Sequence, residues 1–230
     1  MPKKNKDTRI TESVENFLKA VYSLEQALAS EERVSTNALS DSLAISAPSV
    51  TDMAQRLDEE GFIDYQRYKG IRLTHEGADI ALKVLRRHRL LELFLVRDLG
   101  YELHEVHEEA ESLEHAVSDH FISALAARLG DPTVDPHGDP IPSVDGTVTQ
   151  PKLLSLAELP LNCPAKVSRF VTHDNDILQF TLSKGFKLHS DVQVLVRDPF
   201  DGPLHVTIDK IPTIVSHALA EAILVEVETA

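Results

Sequence analysis

The stretch that most constrains this chain is residues 130–151, where Gly130, Pro132, Pro136, Gly138, Pro140, Pro142, Gly146 and Pro151 recur with no apolar period. Proline fixes φ and removes a backbone donor, and glycine opens left-handed backbone, so neither a helix nor a central strand runs through such a segment. The chain is therefore divided. Before the linker apolar residues recur at spacings of three and four; beyond it they alternate. The predicted class is mainly α with a β tail, in three parts: 1–75, 76–145 and 152–230.

The first part reads as a winged helix-turn-helix. Val14, Phe17, Leu18, Val21, Tyr22 and Leu24 mark a helix that Thr11 or Ser13 can cap, behind a polar, basic arm at residues 1–9. A short helix carrying Ala38, Leu39 and Leu43 follows, then a tight break at Ala44-Ile45-Ser46. Ser46 can cap a second helix, with Pro48 in its first turn. Val50, Met53, Ala54 and Leu57 give that helix a buried side. Ser46, Ala47, Pro48, Ser49, Thr51, Asp52 and Gln55 are left on its tip and outer side, small polar groups that can approach phosphates and base edges. Glu59-Glu60-Gly61 ends the helix. Two alternating segments, Phe62–Arg67 and Ile71–Thr74, flank a turn at Tyr68-Lys69-Gly70 and form the wing. Arg67, Lys69 and Arg72 place cations where a DNA backbone would lie.

His75-Glu76-Gly77 opens a long helix to about Leu99, and Leu103 to about Ser118 forms another, after which Asp119 can cap a third. In the second, His107, Glu111, Glu114 and His115 share one arc of about 100°. Two imidazoles and two carboxylates are a plausible ligand set for a divalent transition metal; the alternative is a solvated acidic face. His88 and Glu92, four apart in the first, are either a salt bridge or a second pair of ligands. The apolar sides of these helices exceed what a winged helix covers, which predicts a homodimer.

The net charge of −14 counts against a nucleic-acid binder until it is located. Residues 1–75 hold 10 Lys/Arg against 12 Asp/Glu, residues 76–150 hold 6 against 15, and residues 151–230 hold 7 against 10. The acidity sits in the middle part, where a bound cation would relieve it, and the near-neutral first part leaves DNA binding open. Cys163 is the single cysteine, which excludes an intramolecular disulfide and a thiolate metal cage and fits a cytoplasmic protein. No apolar run is long enough for a membrane span. The tail predicts about five short strands in a small β-barrel, with His173, His189, His205 and His217 on its surface. There is no Gly-rich phosphate loop, nucleophile elbow or repeat.

The order of parts resembles the metal-dependent repressors of the diphtheria toxin repressor family over nearly the whole chain. The resemblance rests on Glu15–Tyr22, Ser46–Thr51, Leu73–Gly77, Arg87–Glu92, His107–His115 and Gly138–Pro142. It implies a helical metal-binding and dimerisation domain behind the winged helix, and an SH3-like (FeoA-type) barrel as the tail. It also implies a homodimer that binds palindromic double-stranded operator DNA when Mn²⁺ or Fe²⁺ is bound. Carried onto this chain, the primary metal site is Glu111, Glu114 and His115 with Asn16 of the first helix, and His88, Glu92 and His107 form an ancillary site. Asn16 stands where the family usually has Met or Asp, and nearby Glu12 or Glu15 can compensate for the weaker amide. Glu111 stands where iron-type members have Cys; a hard carboxylate suits Mn²⁺ better than a soft thiolate does. In the tail, the loop His173-Asp174-Asn175-Asp176-Ile177 corresponds to the segment that reaches the ancillary metal, with Asp174 and Asp176 as its candidate donors.

The expectation is a manganese-sensing repressor of metal-homeostasis genes, in which metal ties the first helix to the His107–His115 helix and sets the spacing of the two winged helices. The rivals are an iron-responsive repressor of the same architecture and a metal buffer without DNA readout. An enzyme is not expected, since no general base beside an open coordination position can be named.

Overall fold

The structure, a computed structural model, describes residues 10–26, 28–29, 32–172 and 174–227. Expectations for residues 1–9 and for His173 fall outside the described residues. The chain divides into two compact units. One holds the chain through Arg87 with Pro142–Thr147; the other holds His88–Ile141 and the chain from Val148 onward.

In the first unit α1 (Glu12–Glu25), α2 (Thr36–Leu43) and α3 (Ala47–Glu60) precede an antiparallel pair, β1 (Ile63–Gln66) and β2 (Gly70–Leu73). Helix, turn, helix and hairpin make a winged helix. Ser46 occupies the N-cap of α3, its Oγ accepting from the Ser49 amide at 3.3 Å. Gly61 ends α3 with φ +87°, a left-handed angle that glycine takes without a Cβ clash. The α2–α3 turn needs the same angle at Ala44 (φ +52°) and is secured by the Ser40 hydroxyl donating to the Ile45 carbonyl at 2.6 Å. Phe17, Leu18, Val21, Leu39, Val50, Leu57, Ile63 and Ile71 fill the core, each worth about 1.5–3 kcal/mol relative to exposure.

Two contacts beyond the hydrophobic pattern hold the wing. Val34 exchanges backbone hydrogen bonds with Ile71 at 3.0 and 2.9 Å, and the Glu25 carboxylate accepts from the Leu73 amide at 3.0 Å. Gly77 lies against the Phe62 carbonyl, where a Cβ has no room. That close approach explains the glycine in Thr74-His75-Glu76-Gly77.

Helix α4 (His75–Leu99) begins in the first unit and runs into the second, where α5 (Val106–Glu114) and α6 (Asp119–Leu129) join it. Leu90, Leu91, Leu95, Val106, Ala110, Ile122, Leu125 and Ile141 form their core. Helix α5 is shorter than its predicted span: His115 is already the C-cap position. Ser118, not Asp119, caps α6, accepting from the Phe121 amide at 3.2 Å, while Asp119 places its charge in the first turn. The linker is not featureless either. Val134 bridges to Pro140 around Asp135, whose Oδ1 accepts from the His137 and Asp139 amides at 2.8 and 2.9 Å.

The tail is one antiparallel sheet ordered β3 (Leu154–Ser155), β8 (Ile223–Val227), β4 (Ala165–Phe170), β5 (Asp191–Arg197), β6 (Leu204–Ile208) and β7 (Ile211–Val215). Bulges at Val167/Arg169 and Val194/Val196 bend it, around a core that includes Leu156, Val167, Phe186, Val194, Leu204 and Ile223. Among the described residues there are six strands where about five are predicted. The β6–β7 turn, Asp209-Lys210, takes positive φ at both residues without a glycine or asparagine to announce it. Two helices, α7 (Asn175–Ser183) and α8 (His217–Glu221), complete the domain. Helix α7 begins inside the segment read as a loop.

Candidate metal centre and nucleic-acid face

On α4, His88 and Glu92 are four residues apart and therefore share one face. Helix α5 brings His107 against them. His88 Nε2 lies 3.0 Å from Glu92 Oε1 and 3.1 Å from His107 Nδ1, and His107 Nδ1 lies 3.4 Å from Glu92 Oε1. One donor atom from each of the three falls within 4.8 Å of the others. His88 and Glu92 are buried and His107 is partly so. Burial works against charge on Glu92, yet hydrogen bonds to His107 and His88, with the nearby His137, hold its carboxyl far below the usual range. The carboxylate is thus kept ionised.

Two residues that sequence reasoning missed stand beside this cluster. His137 Nε2 is 3.6 Å from Glu92 Oε1, and its carbonyl accepts from the Phe170 amide of β4 at 2.9 Å. Asp135 is buried, and burial with the charges of Glu92 and Asp139 pushes its carboxyl up to about 8, against the pull of Arg89. Arg89 Nε lies 3.5 Å from Asp135 Oδ2, and Arg89 and Arg169 lie 3.3 and 3.6 Å from Asp139 Oδ1. Three imidazoles and a carboxylate, with a second buried carboxyl adjoining, are the donor chemistry of a transition-metal site, so these residues fit a divalent ion. The signal available in the sequence was Asp135-Pro136-His137-Gly138, two metal-ligating residue types in an otherwise Pro/Gly-rich segment.

The other predicted ligands are distributed as follows. Glu114 is fully buried, with Oε2 at 2.6 Å from His88 Nδ1 and Oε1 at 3.2 Å from His115 Nε2. Glu111 is exposed, 3.7 Å from His107 Nε2. Asn16 is half-buried on α1, in the other unit. Asp174 and Asp176 are exposed at the start of α7. Asp174 is that helix's N-cap, its Oδ1 accepting from the Asp176 and Ile177 amides at 2.9 and 3.1 Å.

At the tip of α3, Ser46, Pro48, Ser49 and Asp52 are exposed and Ala47 and Thr51 half-buried. The Ser46 and Ser49 hydroxyls bond each other at 2.8 Å, and the Thr51 hydroxyl donates to the Ala47 carbonyl at 3.0 Å. Arg67 and Lys69 are exposed on the wing. Arg72 is turned back instead: its Nε donates to the Glu32 carbonyl at 3.1 Å. A cavity of about 320 Å³ opens between the wing, α3 and the start of α2, lined by Ser35, Thr36, Thr51, Arg67, Tyr68 and Lys69 among others. Tyr68 stands at the wing tip at φ +68°, 91% exposed, with the Arg67 guanidinium 5.0 Å from its ring centre. Ser35, Thr36, Tyr65 and Tyr68 line this face without having been singled out from sequence.

Three family models cover the chain in order. They are the iron dependent repressor N-terminal DNA binding domain over residues 9–71, the iron dependent repressor metal binding and dimerisation domain over 74–143, and the FeoA domain over 154–227. The chain belongs to the iron-dependent repressor family. The repressor is 29% identical to the iron-dependent repressor IdeR of Mycobacterium leprae over 228 residues, 94% of this chain and 98% of that one. Its fold is similar to a solved manganese-dependent transcriptional repressor in complex with manganese (TM-score 0.86, 37% identity, 94% of this chain and 100% of that one). It is likewise similar to the manganese regulator SloR (TM-score 0.75, 30% identity, 94% and 98%). The repressor is thus a metal-dependent, DNA-binding transcriptional regulator. No helix among its described residues is long and apolar enough to cross a membrane.

Proposed function

We propose that this repressor is activated by Mn²⁺ and binds palindromic operator DNA as a homodimer in the cytoplasm, controlling metal-homeostasis genes. The domains would be 1–75 for DNA, 76–145 for metal and dimerisation, and 152–230 for the SH3-like module. The observation that carries the reading is the buried His88–Glu92–His107 centre with His137 beside it and Glu111, Glu114 and His115 adjoining. His88, Glu92, His107 and His137 would hold one ion, and Glu111, Glu114 and His115 would contribute to another. The metal supplies positive charge that the most acidic part of the chain lacks. Manganese is favoured over iron because Glu111 offers a hard carboxylate oxygen and because a manganese-dependent repressor matches at 37% identity with a TM-score of 0.86. The iron reading retains one specific support, the likeness to IdeR.

The test is fluorescence anisotropy on a duplex selected from a random library by the metal-loaded protein. Metal-free protein is titrated with Mn²⁺, Fe²⁺ and Zn²⁺. Activation with Mn²⁺ most effective supports the proposal; a stronger Fe²⁺ response favours the iron sensor, and metal-independent binding ends the sensor reading. By linkage, the duplex must tighten metal binding by the same factor by which metal tightens DNA binding.

A further inference from the structure

The wing turn runs against ordinary turn chemistry. Its glycine, Gly70, stands where the hairpin presses on the preceding segment: a Cβ there would lie 2.6 Å from the Val34 carbonyl oxygen. Tyr68, two residues earlier, also takes left-handed backbone, φ +68°, yet carries a ring that is 91% exposed. A bulky residue at that angle is strained, and a ring in solvent returns no packing energy to the fold. The hairpin beneath it is nevertheless braced. Arg33 donates to the Asp64 carbonyl at 2.8 Å and pairs with the Asp64 carboxylate, and Val34 bridges to Ile71 of β2. A strained, solvent-facing aromatic on a braced hairpin does nothing for the fold, which leaves recognition as its use. We propose that Tyr68 is a specificity-determining residue for DNA: with Arg67 stacked on its ring, it enters the minor groove beside the bases that α3 reads and favours A·T-rich flanks. The inference rests on the DNA-binding reading above.

The reason is the shape of the face. The cavity between α3, the start of α2 and the wing is lined by Thr51 of α3 and by Arg67, Tyr68 and Lys69 of the wing turn. With α3 in a major groove, the phosphate strand bounding that groove runs along this cavity, and the wing tip overhangs the adjacent minor groove. That groove is about 6 Å wide and shows only acceptors on its floor, except where a G·C pair adds the guanine amino group. A phenol hydroxyl can donate to adenine N3 or thymine O2, whereas the guanine amino group crowds the same space. Arg67 selects in the same direction. Its guanidinium lies 5.0 Å from the Tyr68 ring centre, so the stack holds the cation at the tip, and A-tracts offer it a narrower groove of more negative potential. Lys69 differs: as an exposed cation beside the cavity it meets phosphates, which carry no sequence.

The experiment is fluorescence anisotropy with full-length, metal-loaded protein on the selected duplex, its core kept and its flanking pairs replaced one at a time by A·T, G·C or inosine·cytosine. Inosine·cytosine keeps the major-groove face of G·C and lacks only the minor-groove amino group. Wild type is expected to bind A·T and inosine·cytosine flanks alike, and to bind a G·C pair under the wing about fivefold or more weakly. Equal affinity for inosine·cytosine and G·C at every flanking pair overturns the proposal. Tyr68→Gly suits left-handed backbone and so keeps the wing folded. It is expected to lose the flank preference and, having lost no charge, to keep the wild-type salt dependence. A flank preference that survives in Tyr68→Gly also overturns the proposal. Failure of wild type to bind any duplex, with or without metal, overturns the DNA-binding reading beneath it.

Discussion

Glu92 and Asp135 are both buried carboxyls near the same histidines, yet their titration is driven in opposite directions. Glu92 is held ionised by imidazole partners, whereas Asp135, pushed up by burial and then by the like charges of Glu92 and Asp139, retains its proton up to about 8, from an ordinary 3.8. The folded chain therefore holds a proton that the unfolded chain has lost, so Asp135 contributes stability that is full below pH 3.8 and is lost as pH rises toward about 8. In chelator, Asp135→Asn is expected to flatten the decline of Tm over that range and to raise Tm at pH 8 by about 2–4 °C, as read by thermal denaturation across pH. His137→Ala is expected to weaken the cluster's Mn²⁺ affinity, read by electron paramagnetic resonance of free Mn²⁺, while an unchanged affinity removes His137 from the site. Glu111→Cys is expected to move the activation ranking from Mn²⁺ toward softer ions; an unchanged ranking in the anisotropy assay means Glu111 does not select the metal. His88 and Glu92 were legible because helical spacing puts them on one face. His137 was not, because it belongs to no periodic element and reaches Glu92 through the turn around Asp135.

At the level of elements, the helix signals in the sequence translate into particular bonds. Ser46 caps α3 by accepting from the Ser49 amide, so Ser46→Ala is expected to destabilise the protein by about 1 kcal/mol, measured by urea denaturation. Gly138 is a second kind of signal. It sits at φ +89°, and a Cβ there would run into the Ser168 backbone at the edge of the turn that carries His137. Gly138→Ala is therefore expected both to destabilise, by about 1–3 kcal/mol, and to weaken Mn²⁺ binding at the cluster; loss of stability with metal affinity intact would separate the turn from the site. The capping serine and the turn glycines could be recognised in advance because their roles are local. The start of α7 could not: Asp174 and Asp176 read as loop donors, but Asp174 is spent on capping, a role that depends on where the helix actually begins.

Across the whole molecule, a net charge of −14 coexists with a DNA-binding face because the charge is segregated by domain. Arg67 and Lys69 are exposed and line the cavity between the wing, α3 and the start of α2, while Arg72 is held by the Glu32 carbonyl. Replacing Arg67 or Lys69 by Ala is therefore expected to reduce the slope of log affinity against log salt by about 1 each, with Arg72→Ala changing it less. Anisotropy titrations between 50 and 200 mM salt, on the order of the range where such losses are large, would show it. Equal slopes for all three variants would mean that the wing does not lie along the backbone.

The amino-acid order alone determined what depends on neighbours along the chain: helix and strand periods, caps, the dividing linker, the winged helix and the family. It also placed His88, Glu92 and His107 in one proposed site through the resemblance. Tertiary structure decided what depends on residues far apart in sequence. It buried Glu114 against His88, left Glu111 in solvent, turned Arg72 back onto Glu32 and brought His137 to Glu92. The physical reason is that a donor's usefulness is set by the burial and partners it meets across elements, and periodicity records only which face of its own element it occupies. Residues 130–151, which first divided the chain, illustrate both halves: their prolines and glycines announced a break, and only the folded turn showed two candidate metal-binding groups inside it.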